Sequence, residues 1–318
     1  MKLTQLAGVG FACMLFLIGN QAYALTASPV KVEVQGDPGQ TLHGEIELIN
    51  EQSELKTLFT SFENFEPAGD TGSPRFIGNE SGLATWMGSL ASLTIEPTKK
   101  VVVPYTIAIP KDAEPGGYFA AIFFGEQDPQ TQEAGEVSIG GKLGILILLR
   151  VSGNIVEDAG LSEYKTSNGT RVFSSLPILF SYRFSNKGGD RVVPLGDIVI
   201  KNTFGGTATT LSANKNEGSV LPNSSRKFES IWGQSQSATS SVGFLNKAKQ
   251  QLSDFHFGLY SAHISVTYGA TNQVANDVYR FMLIPWQLLC LCALVLVVLY
   301  FALRRYNAWI ISKNKSNT

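Results

Sequence analysis

Tyr260-Ser261-Ala262-His263-Ile264-Ser265-Val266-Thr267-Tyr268 places an apolar or aromatic residue at every second position, with Ser, His and Thr between. Side chains on a strand point to opposite faces in turn, so this stretch reads as a β-strand with one dry and one wet face. The same period recurs upstream. Ile178, Phe180, Tyr182 and Phe184 alternate with Leu179, Ser181, Arg183 and Ser185, and Leu42, Gly44, Ile46 and Leu48 alternate with Thr41, His43, Glu45 and Glu47. Val101, Val103, Tyr105, Ile107 and Ile109 form a further run, in which Pro104 predicts an edge strand or a bulge because proline cannot donate to a ladder.

Two runs, Tyr118 to Phe124 and Leu143 to Leu149, are apolar without alternation. They predict strands covered on both faces, as at a domain junction. Asp37-Pro38-Gly39, Pro115-Gly116-Gly117, Asn168-Gly169 and Asn186-Lys187-Gly188-Gly189 supply turns between the runs. Only Phe244, Ala248, Leu252 and Phe255 form a helical stripe, enough for one short helix. The fold class is therefore all-β, with immunoglobulin-like β-sandwiches. A polar seam from Ser152 to Gly160 divides a first domain at 25–155 from a second at 156–280. The stretches Gln127 to Gly141 and Ser212 to Ser241, rich in Gly, Gln, Ser and Asn, are expected loops.

The two ends are apolar in different ways. At the N-terminus, Lys2, the apolar Leu6 to Ile18 and the small-x-small Ala22-Tyr23-Ala24 have the order of a secretory signal peptide, with cleavage after Ala24. At the C-terminus, Ile284 to Leu303 is uncharged and long enough to cross a bilayer as one transmembrane helix. Trp286 marks one interface, and Arg304 and Arg305 follow the span at the head of a basic tail, 304–318. The positive-inside rule puts that tail in the cytoplasm and the domains outside, extracellular or periplasmic.

Composition removes several function classes. The 318 residues carry a formal net charge of -1 and no basic stripe, so nucleic acid is not an expected partner. Cys13 lies in the leader and Cys290 and Cys292 lie in the span, so the domains have no cysteine for a disulfide, a thiolate metal site or a nucleophile. His43, His256 and His263 have no metal-ligand spacing, and neither a metal nor a cofactor is expected. Asp70-Thr71-Gly72-Ser73 matches the short aspartic-protease signature, but that chemistry needs a second such carboxylate, and the chain has one copy. The expected role of Asp70 is a solvent-exposed turn. Scattered Ser-x-x-Lys matches lack their companion motifs. Glu63, Glu66, Asp70 and Glu80 could together attract a cation or a basic partner.

The order of parts resembles the bacterial WxL-interacting surface proteins. Ser28-Pro29-Val30-Lys31-Val32, Asp37-Pro38-Gly39-Gln40, Trp86, and Ile109-Pro110-Lys111-Asp112-Ala113 leading to Pro115-Gly116-Gly117-Tyr118 are similar to that family's peptidoglycan-binding domain. Asn186-Lys187-Gly188, Pro194 to Ile198 and Phe257 to Tyr260 look like phrases of a related sandwich. The resemblance implies an immunoglobulin-like first domain with a chaperone-like strand arrangement. The expected function is a noncatalytic surface adaptor contacting a cell-wall polymer or another surface protein, with Trp86 and Tyr118 as candidate ligand-binding residues. The alternative is a chaperone-like or assembly protein that accepts a partner's strand at a sheet edge, the Pro104 strand being the candidate edge.

Overall fold

The computed structural model describes residues 25–128, 141–233 and 243–315. The expected leader with Ala24 lies outside the described residues, as do 129–140 and 234–241 of the two expected loops. The chain divides into two compact units. The first holds the described residues up to Phe65 together with Phe76–Gly153, and the second holds Glu66–Arg75 and the described residues from Asn154. A contiguous division at 155/156 gives Glu66–Arg75 to the first domain; the structure counts it with the second.

The chain runs first through β1 (Leu25–Ser28), β2 (Lys31–Gly36), β3 (Thr41–Asn50), β4 (Lys56–Ala68) and β5 (Ser73–Phe76), the end of β4 and most of β5 falling in Glu66–Arg75. It continues through α1 (Leu83–Trp86), β6 (Met87–Ser89), β7 (Ser92–Ile95), β8 (Lys100–Ala108), β9 (Gly116–Gly125) and β10 (Leu143–Val151). One sheet has the order β1-β3-β8-β6, and the other β2-β10-β9-β4-β5 with β7 also on β4. The alternation read from the sequence sets the register. Leu42, Gly44 and Ile46 on β3 face Ile107, Tyr105 and Val103 on β8, and their apolar side chains enter the core. Gly44 is required there, because a Cβ would lie 2.3 Å from the Tyr105 ring.

The two runs without alternation became β9 and β10, paired antiparallel in the middle of their sheet. Ala120, Ile122 and Phe124 join Ile145, Ile147 and Leu149 in the core. The opposite face of β9 carries aromatics of the same unit. Phe76 meets Phe123 edge-on at 4.8 Å, and Phe65 lies 6.0 Å from Phe119.

The second unit contains β11 (Ala159–Thr166), β12 (Val172–Phe173), β13 (Ile178–Asn186), β14 (Leu195–Asn202) and β15 (Thr207–Ser212). β16 (Ser224–Trp232), α2 (Phe244–Ser253), β17 (Gly258–Tyr268), β18 (Gln273–Leu283) and α3 (Trp286–Lys315) complete it. Its sheets are β11-β13-β16 and β12-β18-β17-β14-β15. Aromatic rings fill the space between them. Tyr182 stacks on Phe228 at 5.0 Å, and Phe281 lies 5.5 Å from Phe180 and 5.7 Å from Tyr260. β16 corrects an expectation, since it occupies part of the stretch read as a loop. Phe228 and Trp232 point inward, but the inward position between them is Ser230, whose hydroxyl donates to the Ser212 carbonyl.

Buried asparagines close the irregular ends of both units. Asn50 donates to the Glu54, Ile95 and Glu96 carbonyls. Asn186 donates to the Asp190 and Val220 carbonyls and accepts from the Gly188 N–H. Asn214 donates to the Pro194 and Gly218 carbonyls and accepts from Gly218. Each amide bonds to backbone groups where the ladders stop, and an unpaired buried group costs about 1–3 kcal/mol.

α3 contains a stretch, Trp286–Asn307, long and apolar enough to cross a membrane. At 1.5 Å per residue its 22 residues span about 33 Å. The helix starts two residues later than the apolar run. Pro285 stands just ahead of it, and its carbonyl accepts the Leu289 N–H at 3.0 Å. Arg304 and Arg305 are exposed near its far end. Asn186→Ala should lower unfolding stability by about 1–3 kcal/mol in urea titration, since the Asp190 carbonyl and the Gly188 N–H each lose a hydrogen bond while the Val220 carbonyl keeps the Val192 N–H. The surface change Asn276→Ala should stay within about 0.5 kcal/mol.

Candidate functional site

The structure brings Trp86 and Tyr118 together. β4 carries Asn64, whose amide donates to the Ser81 carbonyl at 2.6 Å and the Gly78 carbonyl at 3.2 Å. Its side-chain oxygen accepts the Ala84 N–H at the start of α1. Asn64 thereby holds the loop before α1, and α1 buries Leu83 and Ala84 while presenting Trp86 at its end. The Trp86 ring centroid lies 4.5 Å from that of Tyr118, with planes inclined by 48°. Tyr118 donates its hydroxyl to the Glu114 carbonyl at 3.0 Å. Burial first, and the Glu114 carboxylate second, hold its phenol above its ordinary pKa, so it stays a neutral donor. Both rings are half-buried and pack on the core, leaving an aromatic platform suited to stacking on a sugar ring or an apolar side chain.

β8 is a second feature of the same unit. It pairs with β3 in continuous register, Pro104 opposite Glu45, so no bulge accommodates the proline. β6 pairs only with Tyr105 to Ile107 and ends at Ser89, whose hydroxyl donates to the Pro104 carbonyl. Pro104 therefore faces a flank where β6 has stopped, and no described strand pairs with Lys100 to Val103 on that side. Half of β8 is an open edge, with Val102 exposed on it.

Two of the four candidate carboxylates, Glu66 and Asp70, are engaged in ion pairs. In the second unit, Asp70 Oδ2 lies 2.9 Å from Arg183 Nη2, and the Asp70 carbonyl accepts the Lys227 N–H at 2.7 Å. The turn is solvent-exposed at Gly69 and from Thr71 to Ser73, as expected, and these two contacts also hold it. Gly72 has φ of 76°, and a Cβ there would lie 2.4 Å from the Arg226 guanidinium. Glu66 pairs with Arg75. Glu163 is held below the usual carboxylate range by Lys165 and, less strongly, by Arg183. Burial pushes the phenols of Tyr164 and Tyr182 far up, which keeps both neutral inside the core. His263 Nε2 lies 2.9 Å from Ser261 Oγ, and the His256 ring meets Trp232 at 5.0 Å. Among the described residues no cluster of three His, Cys, Asp or Glu side chains could hold a metal ion.

No family model matches the chain, and no curated protein matches it. Among solved structures, the class 5 fimbriae chaperone CfaA aligns with 81% of this chain and 99% of its own, at 10% identity and a TM-score of 0.38. The Pseudomonas aeruginosa CupB2 chaperone aligns with 81% and 100%, at 11% identity and a TM-score of 0.36. A PapD-like domain of human CEP192 aligns with 41% and 86%, at 12% identity and a TM-score of 0.29. At these scores the likenesses assign neither a family nor a function to this chain.

If the Asp70 turn is held by shape more than by charge, Asp70→Asn should cost no more than about 1 kcal/mol, as partly exposed ion pairs do. Gly72→Val, with a strained backbone and a clash on Arg226, should cost about 2 kcal/mol or more. Urea unfolding of both variants gives the comparison.

Proposed function

We propose that this chain is a noncatalytic, membrane-anchored surface protein whose β units bind a cell-wall polymer or another surface protein. α3 acts as the anchor, with Arg304 and Arg305 on the cytoplasmic side and both units outside. The observation that carries the reading is the Trp86–Tyr118 platform in a chain that continues into an exposed apolar helix. The platform is uncharged, so it favours stacking on a carbohydrate or an apolar side chain over an ionic ligand. The resemblance to WxL-interacting proteins points the same way, toward a wall polymer at the first unit. In co-sedimentation with purified peptidoglycan, the full chain in nanodiscs should be retained. Trp86→Leu should weaken retention about 3- to 10-fold, the worth of one aromatic contact. Absence of retention by wall polymer, together with absence of any surface protein retained from envelope extract, overturns the reading.

A second reading is favoured by the open half of β8, which offers unpaired backbone groups to an added strand. Under it, partner binding should slow deuterium exchange across Lys100 to Val103. Protection confined to the Trp86–Tyr118 region would reject strand addition.

A further inference from the structure

α2 packs against the start of α3. Its inward face consists of Ala248 and Gln251, both buried. Gln251 Oε1 accepts the Leu288 N–H at 2.9 Å, and its side-chain amide donates to Gln287. Phe244 meets Trp286 at 5.9 Å, and on another side Gln250 donates to the Leu176 carbonyl at 3.3 Å. These contacts use two sides of α2 and leave a third. Leu245 and Leu252, two turns apart and so on one face, are 68% and 65% exposed there. The sequence's helical stripe is thus divided: Ala248 turns inward, Leu252 turns outward and Phe255 lies beyond the helix.

The apolar surface continues past α2. Phe255, Phe257 and Leu259 are each more than half exposed. Leu259 exchanges hydrogen bonds with Thr203, its carbonyl accepting the Thr203 hydroxyl and its N–H donating to the same oxygen. This brings in the β14–β15 turn, where Phe204 is 95% exposed. Leu259 also pairs with Met282, near the end of the strand that leads into α3. Six large exposed apolar side chains from three segments therefore lie at the end of the unit where β18 leads into the apolar helix.

We infer that this end of the second unit is seated in the headgroup layer of a lipid bilayer, with α2 lying in the interface and Leu245, Leu252, Phe255, Phe257, Leu259 and Phe204 as its apolar footing. The inference rests on the reading of α3 as a membrane span. A lipid surface is the occupant because exposed Phe244 of α2 meets exposed Trp286, the first residue of α3 and a residue type that favours the interface, and the apolar side chains of α3 beyond it are themselves exposed. Exposed Lys247 and Lys249 stand on α2, which itself has no Asp or Glu, a balance that suits anionic headgroups.

The test uses the full chain with Cys13, Cys290 and Cys292 replaced by alanine, in nanodiscs of phosphatidylcholine and phosphatidylglycerol. An environment-sensitive dye is attached in four separate variants: Leu252→Cys, Phe204→Cys, Leu296→Cys in the span, and Leu195→Cys at the opposite end of β14. All four positions are exposed, and an unchanged melting temperature shows that each variant is folded. Lipids with a nitroxide near the headgroup should quench the dye at 252 and 204 strongly and leave that at 195 bright. Lipids with a nitroxide deep in the chain should quench that at 296. If 296 is quenched while 252 and 204 stay bright and accessible to iodide, the interfacial seat is wrong and the span stands. If 296 is not quenched, the span itself is wrong and the seat falls with it.

Discussion

Each unit has to satisfy the backbone groups where its ladders stop, and it does so with amide side chains. A sandwich without cysteines cannot staple these ends covalently. Asn50, Asn186 and Asn214 are buried and bond to three or four backbone groups each. An asparagine offers a donor pair and an acceptor on a short stem, so it can replace a missing ladder neighbour on both counts. The apolar cores supply most of the driving force, but these amides decide where the irregular segments lie. Asn64 shows the consequence for the surface: by holding the loop before α1 it sets Trp86 beside Tyr118.

The strands with a dry and a wet face were legible because alternation is a direct image of one-sided burial. Ile46, Val103, Ile178 and Ile264 are buried at the phase that the sequence predicts. Legibility failed where the inward residue is polar or where cover comes from far along the chain. β16 hides behind Ser230, which points inward and bonds to a carbonyl. β9 reads as doubly buried, but its second cover is Phe65 and Phe76, which no local pattern links to it. Pro104 signals a missing hydrogen bond correctly, while the remedy depends on the length of β6, a property of another segment.

The candidate platform was legible as residue types and not as a site. Trp86 and Tyr118 stand out as aromatics near glycine and serine, and the sequence has no sign that they touch. Asn64 carries no signal at all, because an asparagine in a strand is as often a surface residue as a staple. Gln251 is similar. Its neighbours in the helical stripe drew attention, yet this polar residue is the one that docks the helix.

Between Leu283, the last residue of β18, and Trp286, the first of α3, stand only Ile284 and Pro285. Ile284 donates its N–H to the Phe173 carbonyl, and Gln287 and Leu288 in the first turn of the helix are already buried. The joint has no leash to take up slack. A sideways pull on the second unit reaches α3 as torque, and the helix must lean with the body it carries.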